Sequence, residues 1–202
     1  QYLKVDFLNI GSFKSKMEDY FTNNTVDILV NNSNGPSAGS VFEKKMEDYE
    51  VAFNLLFQTV CCTSLLAIPH MQQQKFGRII NMSSVTVQEP LSHLVLSNSI
   101  RSAIANWSKT LATELAPYNI TVNNILTGYF ETERLKEIMT QQAHSRGIEI
   151  EQVKNSIQNG IAAKRLGNPE EYGYLVSFLA SEMAAYITGT NIPIDGGFLK
   201  SL

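Results

Sequence analysis

The feature that most constrains this chain is an alternation of short apolar runs with long stretches of helical periodicity. Residues 26–30 (VDILV), 78–82 (RIINM), 120–125 (ITVNNI) and 191–194 (NIPI) are each too short for an independent helix and are rich in β-branched side chains. Each therefore reads as a strand. Residues 2–6 read as a further short strand at the start. The run 26–30 is almost continuously apolar up to Asn31, which predicts a strand covered on both faces.

The intervening segments repeat at three and four. Residues 9–21 read as a helix with Ser12 as a candidate N-cap. Residues 45–74 form a long one, with Phe53, Leu56, Phe57 and Val60 on a single stripe. Residues 97–115 carry Ile100, Ile104, Trp107, Leu111 and Leu115 along one face, and Pro117 marks the end. Residues 133–146 and 150–158 read as polar helices within a candidate insertion at 131–164, placed as a flap over a substrate would be. Residues 169–181 are a last helix. Strands alternating with helices imply parallel pairing through right-handed crossovers. The expected fold is α/β, a doubly wound parallel sheet of Rossmann-like type, in one domain over residues 1–202.

Composition narrows the function. The chain has 202 residues, of which 44% are hydrophobic and 17% charged, enough for one sizeable core. Net charge is −3 and no Lys/Arg stripe stands out, so nucleic acid is not expected as a partner. No apolar run in the sequence approaches the roughly 18 residues of a membrane span, so no membrane partner is expected either. Cys61 and Cys62 are adjacent inside an apolar helical run, a place for buried small hydrophobes rather than a disulfide or a metal site. A reducing cytoplasm is the expected compartment.

Several motifs then stand in order. They are Val30-Asn31-Asn32-Ser33-Asn34-Gly35, the strand Gly77-Arg78-Ile79-Ile80-Asn81-Met82-Ser83-Ser84, and Ile120-Thr121-Val122-Asn123 before Thr127-Gly128. Arg165-Leu166-Gly167-Asn168-Pro169-Glu170-Glu171 follows, then Ile187-Thr188-Gly189 leading to Asp195-Gly196-Gly197. In this order and at these separations the chain resembles the short-chain dehydrogenase/reductase family, its 3-oxoacyl-carrier-protein reductases in particular. The resemblance runs from the family's third strand to its C-terminus. It implies an oxidoreductase that uses NAD or NADP on a carbonyl or alcohol. It also implies that the N-terminal strands and glycine-rich cofactor loop, on the order of 50 residues, are absent from this chain. Dinucleotide binding by the chain alone is accordingly expected to be poor.

The resemblance also assigns residues. Ser84 stands where the family has its catalytic Ser. Thirteen residues on, where a Tyr belongs, stands Ser97, and four beyond that Arg101 takes the place of Lys. Counting back from Gly77 puts Leu56 at the family's Asn, with Asn54 two residues earlier on another helix face. On the cofactor side, Asp6 matches an acidic position at the adenine. Asn32, Ser33, Asn34 and Gly35 match the turn beside the cofactor, and Thr132 a residue near the nicotinamide amide. Asn34 replaces a Gly there, and Asn tolerates positive φ, so the turn is expected to survive.

The chemistry of the replaced pair differs. A Tyr passes the proton while a neighbouring Lys lowers its pKa from about 10. Ser97 is a far weaker acid and shorter by a ring, and Arg101 stays charged. Four apart on one helix, the two share a face and present a hydroxyl and a guanidinium to an anion or an oxygen. The alternative is a helix-capping Ser followed by a surface Arg. Ser84 either bonds a carbonyl or caps the strand end. Thr132 and Asp6 have equally plain alternatives, as a helix cap and a strand-end carboxylate. His93, in the loop before the helix, is either a replacement acid or simply exposed.

Two functions stay open. One is an NAD(P)-dependent oxidoreductase with a degenerate active site. The other is a catalytically inactive relative that binds a nucleotide or forms an oligomer. A serine hydrolase is the least favoured reading. The resemblance further implies a homodimer or homotetramer through the helices at 45–74 and 97–115, with Cys61, Leu65 and Trp107 on that surface.

Overall fold

The computed structural model describes residues 2–201. In chain order it contains α1 (Ile10–Asn23), β1 (Ile28–Asn31), α2 (Met46–Ala52), a π-helical stretch (Phe53–Gln58), α3 (Thr59–Gln74), β2 (Gly77–Met82) and α4 (Val95–Leu115). There follow β3 (Ile120–Thr127), α5 (Glu133–Arg146), α6 (Ile150–Gly160), α7 (Pro169–Ala180) and β4 (Asn191–Ile194). The four strands form one parallel sheet in the order β1-β2-β3-β4, as the apolar runs predict.

Helices cover both faces. On one face Ala67, Ile68 and Met71 of α3 and Leu111, Ala112 and Leu115 of α4 close over Ile79, Ile120 and Val122. On the other, Tyr172 and Leu179 of α7 pack with Ile80, Ile125 and Phe130. Helices α5 and α6 have a small core of their own, built on Leu135, Met139, Val153 and Ile161.

Several expectations are corrected. Residues 2–6 form no strand, because no neighbouring chain among the described residues offers them a ladder. They lead instead into a turn in which Asp6 Oδ1 accepts from Leu8 N at 2.9 Å. Strand β1 is not covered on both faces. Leu29 packs into the core, whereas Ile28 and Val30 on the opposite face are 44% and 40% exposed. The cap of α1 is Asn9, whose side chain accepts from Ser12 N; Ser12 supplies the donor rather than the cap. The long helix is interrupted by a π turn where Leu55 and Leu56 are both buried. Residues Met46–Gln74 also include an 18-residue window of mean hydropathy 1.8, so this one helix is long and apolar enough to cross a membrane by length and composition. Its inner face is in the core, with Ala52, Leu56, Ala67 and Met71 buried. Cys61 and Cys62 are half-buried free thiols, and burial pushes Cys61 up to about 12.

One asparagine from each strand lies in register across the whole sheet: Asn31, Asn81, Asn124 and Asn191. Asn31 Nδ2 donates to Asn81 Oδ1 at 2.8 Å, Asn81 Nδ2 to Asn124 Oδ1 at 3.1 Å, and Asn124 Nδ2 to Asn191 Oδ1 at 2.8 Å. Helices join the ladder through Ser64 and Thr63 of α3 at Asn31 and Ser108 of α4 at Asn81. Buried amides are tolerated only when paired, and here each pairs with the next.

The ladder generates a stability prediction. Asn81→Leu orphans groups on Asn31, Asn124 and Ser108 and is expected to cost about 3 kcal/mol, from roughly 1–3 kcal/mol per buried unsatisfied group. Asn191→Ala, at the exposed end of the ladder, is expected to cost under about 1 kcal/mol. Urea unfolding of both variants tests this, and equal costs would show that the ladder is not a connected unit.

Candidate active site

In open parallel sheets ligands bind beyond the carboxyl ends of the strands. Here the end of β1 runs into residues 32–37, that of β2 into Ser83 and Ser84, and that of β3 into Gly128. Gly128 is there for close approach, since a Cβ on it would stand 2.6 Å from the Asp195 Cα beyond β4.

A groove of about 600 Å³ lies beside the end of β1. Its walls are residues 5–8 and 32–37, Asp48, Val51, Ala52 and Leu55 on the long helix side, and Leu96 of α4. Asp6, Asn32, Ser33, Asn34 and Gly35 are thus brought together, as the motif reading expects. The turn does not use positive φ at Asn34 or at Gly35, so the Asn-for-Gly exchange needs no conformational tolerance.

Ser84 is half-buried, and its Oγ accepts from Thr86 N at 3.2 Å, capping the short 3-10 turn Val85–Val87. Ser97 is not a cap: α4 begins at Val95 with Leu94 as its N-cap, so Ser97 sits inside the helix. Its hydroxyl makes no hydrogen bond among the described residues. Arg101 is not a surface residue either. Its Nη1 donates to Met82 O at 2.7 Å, at the very end of β2. Its Nη2 lies on the Gly35 side, 4.0 Å from where a Cβ on Gly35 would stand. Burial draws the guanidinium below its ordinary value, while Tyr172 acts in the opposite sense.

Other candidates fall elsewhere. Thr132 is the N-cap of α5, with Oγ1 accepting from Leu135 N at 3.3 Å, and it does not line the groove. His93 is exposed, and its backbone oxygen accepts from Gly39 N at 2.7 Å, tying the two loops together. Leu56 is 1% exposed and brings no polar group to the site. Asn54 accepts from Gln58 Nε2, and Gln58 in turn accepts from Lys14 of α1 at 2.7 Å, so Asn54 is engaged on the α1 side. Among the described residues there is no cluster of three or more metal-ligating side chains.

The structure adds residues that spacing does not reveal. The Tyr172 hydroxyl lies 3.0 Å from Thr127 Oγ1, and burial pushes it up to about 12 against the pull of Thr127 and Arg101. Its only sequence signal is an aromatic residue just after the Asn168-Pro169-Glu170-Glu171 cap. Glu89, in the loop after Ser84, accepts from Lys200 N at 2.7 Å and Ser201 N at 2.6 Å. Phe198 meets Tyr129 edge-on at 5.2 Å, which seats the same tail against the segment after β3. Glu89 is 111 residues from Lys200, and no local pattern announces such a contact.

Comparison with known proteins places the chain. The profile of the family described as enoyl-(acyl carrier protein) reductase matches residues 9–199. The NADPH-dependent reductase BacG of Bacillus subtilis is 34% identical over 177 residues, which cover 88% of this chain and 68% of BacG. The solved structure of YwfH, an NADPH-dependent reductase involved in bacilysin biosynthesis, superposes with a TM-score of 0.91 at 30% identity, over 99% of this chain and 78% of that one. L-sorbose reductase from Gluconobacter frateurii, solved with NADPH and L-sorbose, gives 0.89 at 28% identity, over 98% and 76%. The chain spans about two thirds of the length of its curated relatives.

The Glu89 clasp is pH-dependent with a defined sign. The two tail N–H groups hold its carboxyl below the ordinary glutamate value, with Lys200 aiding. The clasp is therefore complete above about pH 4.3 and is lost as pH falls through the depressed value. Amide exchange at Lys200 and Ser201, normalised to intrinsic rates, should be protected at neutral pH. It should lose protection on acidification and in Glu89→Ala. Unchanged protection in that variant would contradict the clasp.

Proposed function

The chain belongs to the short-chain dehydrogenase/reductase family, and on that premise we propose that it is a nicotinamide-dependent oxidoreductase whose standard proton donor has been replaced. The carrying observation is the placement of Arg101 at the end of β2, beside the groove that holds Asp6 and residues 32–35. The groove is of a size that takes a nucleoside-sized group. The Asp6 carboxylate at one end and residues 32–35 along the wall fit the adenosine side of a dinucleotide. NADPH is the cofactor named for all three relatives, and we take it as the cofactor here. When bound, the nicotinamide supplies hydride to a carbonyl carbon.

The chain's own groups then act on the carbonyl oxygen. Arg101 donates to the oxygen and stabilises the negative charge that develops there. Ser97, one turn before Arg101, adds a hydroxyl donor on the same face. Neither group releases a proton near neutral pH, so water supplies it. The loss of general acid catalysis costs about 10²- to 10⁴-fold. Thr132 is engaged as a helix cap and is assigned no part in the site.

A second reading, an inactive relative that binds a nucleotide or forms an oligomer, is favoured by two observations. Ser84 Oγ accepts a capping bond, and Leu56, which an ungapped count from Gly77 puts at the family's Asn, is buried and apolar. In either case we propose a homodimer or homotetramer. The outer side of α3 and the π stretch leaves Leu65 57% and Phe53 38% exposed, while Trp107 is half-buried against the core. Free thiols at Cys61 and Cys62 fit a cytoplasmic setting.

Restoring the pair tests the central reading. Ser97→Tyr combined with Arg101→Lys is expected to raise NADPH-dependent reduction of small ketones and β-ketoacyl thioesters by about 10²-fold or more. Leu56→Asn is the next addition if the gain is small. Turnover by the unmodified protein at an ordinary rate, about 10 per second, would overturn the reading.

A further inference from the structure

Two guanidiniums reach into the fold, Arg78 buried and Arg101 half-buried, and they are satisfied very differently. Arg78 is 1% exposed, and three backbone carbonyls receive it, those of Gly77, Asn119 and Ser181, while its plane lies 4.5 Å over the Phe76 ring. That arrangement leaves little for a ligand to do. Arg101 makes one hydrogen bond, to Met82 O. A guanidinium carries five N–H donors, so most of its capacity is unused.

No carboxylate answers that charge. The ion pairs among the described residues are His70–Asp27, Arg134–Glu137 and Arg165–Glu171, and none includes Arg101. The acidic groups around the strand ends are committed to backbone N–H groups. Glu89 holds Lys200 and Ser201, Asp195 holds Gly197 and Leu199, and Asp48 holds Lys45. A half-buried guanidinium with no carboxylate beside it is open to an anion, which would supply the missing counter-charge.

Two hydroxyls are also unused, one a helical turn from Arg101 and one next to the Met82 that receives it. Ser97 has no partner among the described residues and lies one turn before Arg101 on the same helix. Ser83 follows Met82 directly, is 5% exposed, and its Oγ has no hydrogen-bond partner. The guanidinium fork suits two oxygens of one planar or tetrahedral oxyanion.

Resting on the oxidoreductase reading, we infer that Arg101 and Ser97 form an oxyanion subsite, and that the substrate is a carbonyl compound bearing a carboxylate or a phosphate rather than a neutral ketone. Arg101 forks two of its free N–H groups onto the oxyanion and keeps another for the carbonyl oxygen, and Ser97 donates one further hydrogen bond. The Met82 carbonyl keeps the guanidinium turned toward the Gly35 turn. The exchange of Lys for Arg and Tyr for Ser thereby trades a proton-transfer pair for an anion clamp.

Calorimetric titration with three probes tests this: 2-oxobutyrate, dihydroxyacetone phosphate and butan-2-one. At least one anionic probe is expected to bind tenfold or more tighter than butan-2-one, and which one does so distinguishes carboxylate from phosphate. Arg101→Met should abolish the preference, Arg101→Lys should retain part of it, and Ser97→Ala should weaken it severalfold. Circular dichroism and the Tm verify that each variant is folded, and Arg101→Gln, with the same loss expected, serves if Arg101→Met is not. Equal binding of all three probes, or a preference that survives removal of the charge in Arg101→Met or Arg101→Gln, overturns the inference. Neutral ketones bound and reduced as well as the anions would sink the subsite and leave the oxidoreductase reading intact. Tight anion binding with no cofactor-dependent reduction of any carbonyl would do the reverse.

Discussion

The interaction on which the rest depends is the row of asparagine amides across the sheet. Asn31, Asn81 and Asn124 are 8%, 1% and 2% exposed, so their amides find partners in one another, in the helices above and, at the open end, in Asn191. Because each lies in register with the next, a slip of one residue in any strand would strand several polar groups in the core. The ladder thus sets register, where apolar packing alone sets only which face is inside. In β1 and β2 it lies at the carboxyl end of the strand. Asn31 immediately precedes the groove-lining turn, and Asn81 immediately precedes Met82, whose carbonyl receives Arg101.

From that anchoring the site follows. Strand β2 presents a carbonyl to a guanidinium, β1 delivers the turn at 32–35 alongside it, and β3 ends at a glycine pressed against Asp195. On the proposed reading, what differs from the family's usual arrangement is the character of the groups. A phenol and an amine would exchange a proton. A hydroxyl and a guanidinium hold charge and position instead, since neither changes ionisation near neutral pH. Tyr172 does not fill the gap, because its hydroxyl is engaged with Thr127 and burial pushes it up to about 12.

Much of the fold was legible in the residues, and the reasons it was or was not are physical. Runs of apolar β-branched residues located all four strands, and the stripe Ile100, Ile104, Leu111, Leu115 is the buried face of α4. The ladder was not legible, because an asparagine inside a strand looks like an interruption until its cross-strand partner is known. Exposure of β1 was missed because a run of apolar residues carries no information about how many neighbours its strand will have. In the site, the grouping of Asp6 with residues 32–35 was readable from motif order. The setting of Arg101 was not: helical spacing shows that it shares a face with Ser97, and only tertiary packing shows that the face is turned inward onto Met82. Glu89 and Tyr172 act through contacts 111 and 45 residues away, beyond the reach of any local pattern.

The most direct test of the missing proton donor is the pH dependence of NADPH-driven carbonyl reduction by the unmodified protein, beside a relative that keeps the Tyr and Lys. The expected result is a rate at least about 10²-fold lower, with no titrating group between about pH 6 and 9. A comparable rate with a clear break in that range would contradict it, and would mean that another side chain passes the proton.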